Sequence, residues 1–185
     1  RMAKRAAGNG IVLPAAYFPL PDVLDRDLPV EPALALAVAR RESEFDPVVV
    51  SPAGARGYMQ LMPGTARDVS RALGISYDRD ALTEDPAYYV TLGSAYLAGL
   101  IESFGPAPVL VAVGYNAGPG RSIDWVSAYG DPRSAGIDVV DWIELIPFRE
   151  TRNYVMRVTE SVMVYRARLT GETGPVRMLD YLRGG

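Results

Sequence analysis

Glu42 is a carboxylate on a face that the surrounding pattern makes apolar. At roughly 100° per residue it falls within about 60° of Ala35, Val38 and Ala39, while Arg40 and Glu44 point elsewhere. A carboxyl group partly withdrawn from water there resists ionisation, so its pKa rises. Such a group can serve as a general acid near neutral pH. The plainer alternative is a glutamate at a frayed helix end, turned to solvent or paired with Arg41. Periodicity alone favours that alternative; the segments that follow weigh against it.

Ser51 to Gly57 is a run of small residues and glycine, followed by Tyr58-Met59-Gln60-Leu61-Met62-Pro63-Gly64-Thr65. Small residues let a backbone approach a ligand closely. Gln60 offers a donor and an acceptor, which suits sugar hydroxyls and amides. Met59 and Met62 alone would read as core filler. Gly114-Tyr115-Asn116-Ala117-Gly118-Pro119-Gly120 puts a phenol and a carboxamide at a helix end, or is simply a helix stop. Glu150 opens the last long helix, where the dipole favours a carboxylate whether or not it binds anything.

The elements that must position these residues are helical. Pro32 suits a first helical position, and Ala33 to Arg41 are strong helix formers. Thr65 is expected to cap a helix that runs to Leu73 and stops at Gly74. Asp85-Pro86 opens a helix to Phe104, ended by Gly105. Pro108 to Tyr115 reads as a short helix buried on all sides. Further helices are expected over Arg121–Tyr129, Asp138–Leu145 and about Glu150–Leu169; in the last, Tyr154, Val155, Val158, Val162, Tyr165 and Leu169 keep helical spacing. Val48-Val49-Val50 is the one stretch that could be extended. The class is mainly α with a single domain. Residues 1–27 form a lead-in in which Tyr17, Phe18 and Leu20 are apolar enough to dock, on this domain or on an upstream one. Residues 28–170 form the domain, and residues 171–185 form a tail that is weakly ordered by composition.

Composition narrows the chemistry. The 185 residues include no cysteine and no histidine. That removes a cysteine nucleophile, a Ser-His-Asp triad and the common zinc and haem sites. Carboxylates and tyrosines remain for proton transfer; the sole lysine, Lys4, lies near the chain start. With 19 basic and 22 acidic residues, the net charge of −3 does not suggest a nucleic-acid partner. No cofactor or metal is expected. The longest uncharged stretch, Ser103 to Gly120, is broken by glycines and prolines and is not expected to span a membrane. The start lacks the apolar run of a signal peptide, and position 1 is arginine, as in a processed chain or a piece of a longer one.

Four ordered segments resemble the soluble lytic transglycosylases of bacterial cell walls, the group with a goose-lysozyme-like catalytic domain (glycoside hydrolase family 23). They are Ala37-Val38-Ala39-Arg40-Arg41-Glu42-Ser43-Glu44-Phe45-Asp46-Pro47, Ser51 through Ala66, Tyr115 through Gly120, and Ile146 through Val155. The resemblance covers about residues 28–170. It implies a lysozyme-like catalytic domain with Glu42 as the catalytic acid and base. It implies that Ser51, Met59 and Gln60 line the cleft, Met59 as its apolar wall. Tyr115 matches a tyrosine held near the acid, and Asn116 is its binding or structural neighbour. Glu150 matches a second carboxylate that contacts sugar, and Tyr154 lines the groove. Two departures stand out. Tyr58 replaces the usual leucine and could rim a subsite. Gly114 replaces the commoner alanine and should loosen the helix end.

The implied substrate is peptidoglycan, and the implied location is the periplasm or cell envelope, with the chain acting as a monomer. A glycosidase normally needs two carboxylates. No acid between Asp46 and Asp68 offers Glu42 a partner. That fits a scheme in which one glutamate gives a proton and then takes one, closing a 1,6-anhydro ring on N-acetylmuramic acid. A lysozyme-type hydrolase on the same scaffold and a non-catalytic glycan-binding module remain the alternatives.

Overall fold

The computed structural model describes residues 6, 8–11, 13–24, 27–172 and 174–185. Helices dominate, and no β-strand occurs among the described residues. Cα packing divides the chain into two compact units, Arg1–Ser94 and Ala95–Gly185.

In the first unit, α1 (Pro14–Tyr17) and a 3-10 turn (Asp22–Leu24) precede α2 (Pro32–Ser43). Pro32 occupies the first turn of α2, where its missing N–H costs nothing. From Ala33 to Ala39 every residue of α2 is buried. The helix is thus enclosed on all sides over that stretch, where the periodicity suggested a single apolar stripe. The lead-in docks on α2 through Arg40. The Arg40 guanidinium carbon lies 4.6 Å from the centre of the Tyr17 ring and 4.1 Å from that of Phe18. Its Nε donates to the Tyr17 carbonyl at 3.0 Å. Flanking rings and a carbonyl suit a half-buried guanidinium.

Next come α3 (Pro63–Leu73) and α4 (Ala81–Glu84). α3 starts at Pro63, two residues before the expected Thr65 cap, because proline already supplies a first-turn residue with no donor to satisfy. Val48 and Val49 form no strand; Val50 makes only an isolated bridge to Arg56. The long α5 (Pro86–Phe104) begins in this unit, over the span read from its proline start and glycine stop.

The second unit holds the rest of α5, then α6 (Pro108–Ala117), α7 (Pro119–Tyr129), α8 (Val139–Glu144), α9 (Arg149–Thr170) and α10 (Met178–Arg183). α6 is buried throughout Pro108–Gly114, as its all-apolar sequence requires, and packs against α7 and α9. Asp138 caps α8 through bonds from Val140 N (2.8 Å) and Asp141 N (3.1 Å). The tail departs from expectation. It forms α10, with Tyr181 and Leu182 buried. Composition hid this because its anchors are tertiary: Arg166 lies 4.5 Å over the Tyr181 ring, and Arg183 donates to the Ile137 carbonyl at 3.3 Å.

Candidate active site

Glu42 lies in the last turn of α2, half-buried, on the face of Ala35, Val38 and Ala39. The chain then leaves the helix through two left-handed residues, Glu44 (φ 55°) and Phe45 (φ 65°). Such a conformation costs a non-glycine residue about 1–2 kcal/mol. Here it is held by the Phe45 ring, 5.5 Å from that of Tyr58, and by Asp46 N donating to the Ser43 carbonyl at 3.1 Å. The Ser43 hydroxyl donates to the Tyr58 carbonyl at 2.7 Å and so ties the end of α2 to the following loop.

That loop is closed by Arg56 and Leu61, which exchange backbone bonds of 3.0 and 3.1 Å. Gly57 turns it at φ 74°, and a Cβ there would run into the Leu82 carbonyl. Gln60 adopts φ 49°. Its Nε2 donates to the carbonyls of Gly57 (2.8 Å) and Val49 (2.9 Å). Both amide protons therefore serve the loop, so the side chain has only its Oε1 acceptor left to offer, not the donor and acceptor together. Ser51 accepts from Ala55 N at 3.0 Å through Oγ, which leaves its hydroxyl proton to give.

Two expectations for this loop need correction. Met59 is not an open wall: it is 1% exposed and packs so closely on Gly93 that a Cβ at Gly93 would overlap its sulfur. Tyr58 rims nothing. It is 3% exposed, with its ring stacked on Tyr89 at 5.3 Å and 16°. Aromatic stacking beneath the loop gives the Tyr58 ring a packing role there.

In the second unit, Tyr115 and Asn116 occupy the last turn of α6, which runs two residues past the expected Tyr115 end. Tyr115 is half-buried, with its ring 5.2 Å from Tyr96. The Tyr96 hydroxyl donates to the Gly114 carbonyl at 3.3 Å, and burial pushes that phenol up, so it keeps its proton. Gly114 does not loosen the helix end. It is buried, and a Cβ there would lie 2.9 Å from Leu100 and 3.4 Å from Ser122 Oγ, so its role is close packing.

Asn116 Oδ1 accepts from Thr151 Oγ1 at 2.7 Å. That bond joins the end of α6 to the first turn of α9, where Glu150 is exposed. Tyr154, expected to line a groove, is 3% exposed, because it sits on the α9 face that also buries Val155 and Val158.

Over residues 25–135 the chain matches the family described as the transglycosylase SLT domain. This chain belongs to that family. It is 38% identical over 155 residues to the soluble lytic murein transglycosylase of Salmonella typhimurium, covering 83% of this chain and 23% of the relative. It spans about a fifth to a quarter of the length of the soluble lytic murein transglycosylases it matches. Its structure is similar to that of the 70 kDa soluble lytic transglycosylase of Escherichia coli, with TM-score 0.82, 31% identity and coverage of 99% of this chain and 29% of that one. It is also similar to an inactive glutamate-to-glutamine variant of the Pseudomonas aeruginosa lytic transglycosylase, with TM-score 0.69, 35% identity and coverage of 78% and 23%. The expected mainly α, lysozyme-like class is the one found.

Ser43 and Tyr96, within the matched SLT region, and Thr151 beyond it were not singled out from sequence. Ser43 and Thr151 had a legible signal: each directly follows one of the two suspected carboxylates. Tyr96 had none, since it sits mid-helix among other apolar residues.

Proposed function

We propose that this SLT domain is a peptidoglycan lytic transglycosylase that uses Glu42 as its one acid and base. The observation that carries the reading is the placement of Glu42. It is a half-buried carboxylate in the last turn of an enclosed helix, next to a braced loop whose residues from Pro47 to Arg67 include no acid. Support comes from the names of the relatives and from the fact that one similar enzyme is inactive as a glutamate-to-glutamine variant.

The substrate is the β-1,4 bond between N-acetylmuramic acid and N-acetylglucosamine. Protonated Glu42 gives its proton to the bridging oxygen as the bond from C1 breaks. The 2-acetamido oxygen of the same sugar stabilises the cationic C1, in place of a second carboxylate. Ionised Glu42 then takes the proton of the C6 hydroxyl while that oxygen bonds to C1. The products are a free 4-hydroxyl and a 1,6-anhydro ring, with no water consumed and Glu42 again protonated. Ser51 gives a hydrogen bond to the glycan and Gln60 Oε1 accepts one. By the resemblance, Tyr115, Asn116 and Glu150 are the sugar-contacting groups of the second unit. The buried Met59 and Tyr154 act through packing. The working location is the bacterial envelope. Among the described residues no helix is long and apolar enough to cross a membrane.

Mass spectrometry of digested cell walls tests the reaction. Muropeptides lacking one water relative to reducing ends are expected. Reducing ends alone would instead assign a lysozyme-type hydrolase, and no release of soluble fragments would assign a glycan-binding module.

A further inference from the structure

Ser43 is 7% exposed, and its hydroxyl has one proton with two carbonyls in reach. The helical carbonyl of Ala39 lies at 3.3 Å, the ordinary i−4 contact of a serine in a helix. The Tyr58 carbonyl lies at 2.7 Å and is 15 residues away in sequence. The shorter contact takes the proton. Through it the residue that follows Glu42 is joined to the residue that precedes Met59 and Gln60.

The need for this tie is visible in the backbone. The last turn of any helix lacks onward partners for its carbonyls and frays unless something holds it. At α2 the chain turns left-handed at Glu44 and Phe45, so helical continuation cannot hold it. The loop has the complementary weakness. Gln60 holds a left-handed conformation through its own side-chain bonds, which fix the loop to itself but not to α2. Beside the Phe45–Tyr58 ring contact, the Ser43 bond is a directional side-chain hydrogen bond that links the helix end to the loop.

We propose that Ser43 is a positioning residue for the reaction: its hydroxyl fixes the distance between the Glu42 carboxyl and the Gln60 edge of the loop. The inference rests on the assignment of Glu42 as the acid. A buried acceptor left without its donor lets the loop shift by a fraction of an ångström. Misplacement of about 1 Å between a catalytic group and a bound substrate costs on the order of 100-fold in rate. The effect falls mainly on the turnover step, because a hydrogen bond to a sugar tolerates a shift of that size better than proton transfer between Glu42 and one oxygen atom does.

The test compares Ser43→Ala, Ser43→Thr and Glu42→Gln in this chain, on purified glycan strands, at a temperature where circular dichroism shows each variant folded. Ser43→Ala is expected to lower kcat by about 10- to 100-fold with KM changed less than about twofold. Ser43→Thr, which keeps the hydroxyl, is expected to recover most of kcat. Unchanged kcat in folded Ser43→Ala overturns the proposal, as does a rise in KM alone. Equal loss in Ser43→Ala and Ser43→Thr also overturns it, since that points to packing and not to the hydrogen bond. Glu42→Gln separates the two claims. If it stays active, the assignment of the acid fails, whatever Ser43 does; if it is dead while Ser43→Ala keeps full kcat, only the positioning role fails.

Discussion

The stretch from Glu42 to Leu61 and the stretch from Gly114 to Thr151 differ in backbone regularity and in how the segment beside each suspected carboxylate is tied down. The first departs from regular backbone. It holds Glu44, Phe45 and Gln60 at positive φ, and the side chains of Ser43 and Gln60 donate to backbone carbonyls to keep it there. The second keeps regular helices up to their ends. Between the two helix ends that carry Asn116 and Glu150, the bond from Thr151 to Asn116 is side chain to side chain, on the closely packed helix α6. Yet both place a hydroxyl residue directly after a suspected carboxylate and use it to reach another segment. Local strain held by polar bonds suits a loop that must lie close to one atom. Packed helix ends suit groups that only orient a ligand.

This contrast predicts different sensitivities. Gly57→Ala should be the most damaging change in the loop. It sets a Cβ against the Leu82 backbone at φ 74°, and neither the turn nor α4 can yield cheaply. A loss of about 4 kcal/mol or more is expected, read by thermal unfolding. A loss below about 1 kcal/mol would mean that the loop backbone is not constrained as described. Thr151→Val keeps the shape and removes the donor to Asn116 Oδ1. An unmet acceptor of this kind costs about 1–3 kcal/mol. The outcome that breaks the comparison is a Thr151→Val protein that is as stable as the parent but catalytically dead, since that would place Thr151 in the chemistry.

The smallest expected effect lies away from both stretches. Arg133 donates to both Asp131 oxygens, with Nη2 at 2.6 Å, and this bond holds the Asp131 carboxyl below its ordinary pKa range. A depressed folded pKa means that the contribution is present above the unfolded value and is lost as pH falls through the folded one. Both groups are partly exposed, so the size should be about 0.5 kcal/mol or less. Unfolding of Asp131→Asn followed from neutral pH down through the acidic range checks the sign: its deficit should shrink in acid.

Much of this was legible before the structure. Helix starts at Pro32, Pro86 and Pro108 and stops at Gly74 and Gly105 follow from local chemistry, so sequence carries them. The buried part of α6 was readable because Pro108 to Gly114 carries no polar side chain. What sequence missed depends on contacts between distant segments. Tyr58 resembled a subsite residue because its stacking partner, Tyr89, lies 31 residues on (89 − 58 = 31). Met59 and Tyr154 belong to motif segments, which flags them for function, while burial assigns them to packing. The tail looked weakly ordered because its anchors, Arg166 and Ile137, lie outside it, earlier in the chain. Sequence also flagged Gln60, but the use of both its amide protons inside the loop is a fact of geometry that spacing cannot report.

The central claim is that one glutamate does all of the proton transfer, in a chain without histidine or cysteine. Turnover of purified cell walls by Glu42→Gln is its most direct test, with glycan binding measured alongside. The substitution keeps the shape and removes the proton, so the rate should fall on the order of 1,000-fold while binding stays within a few-fold. A variant that still cleaves within tenfold of the parent rate would contradict the account and send the search for the acid elsewhere, first to Glu150.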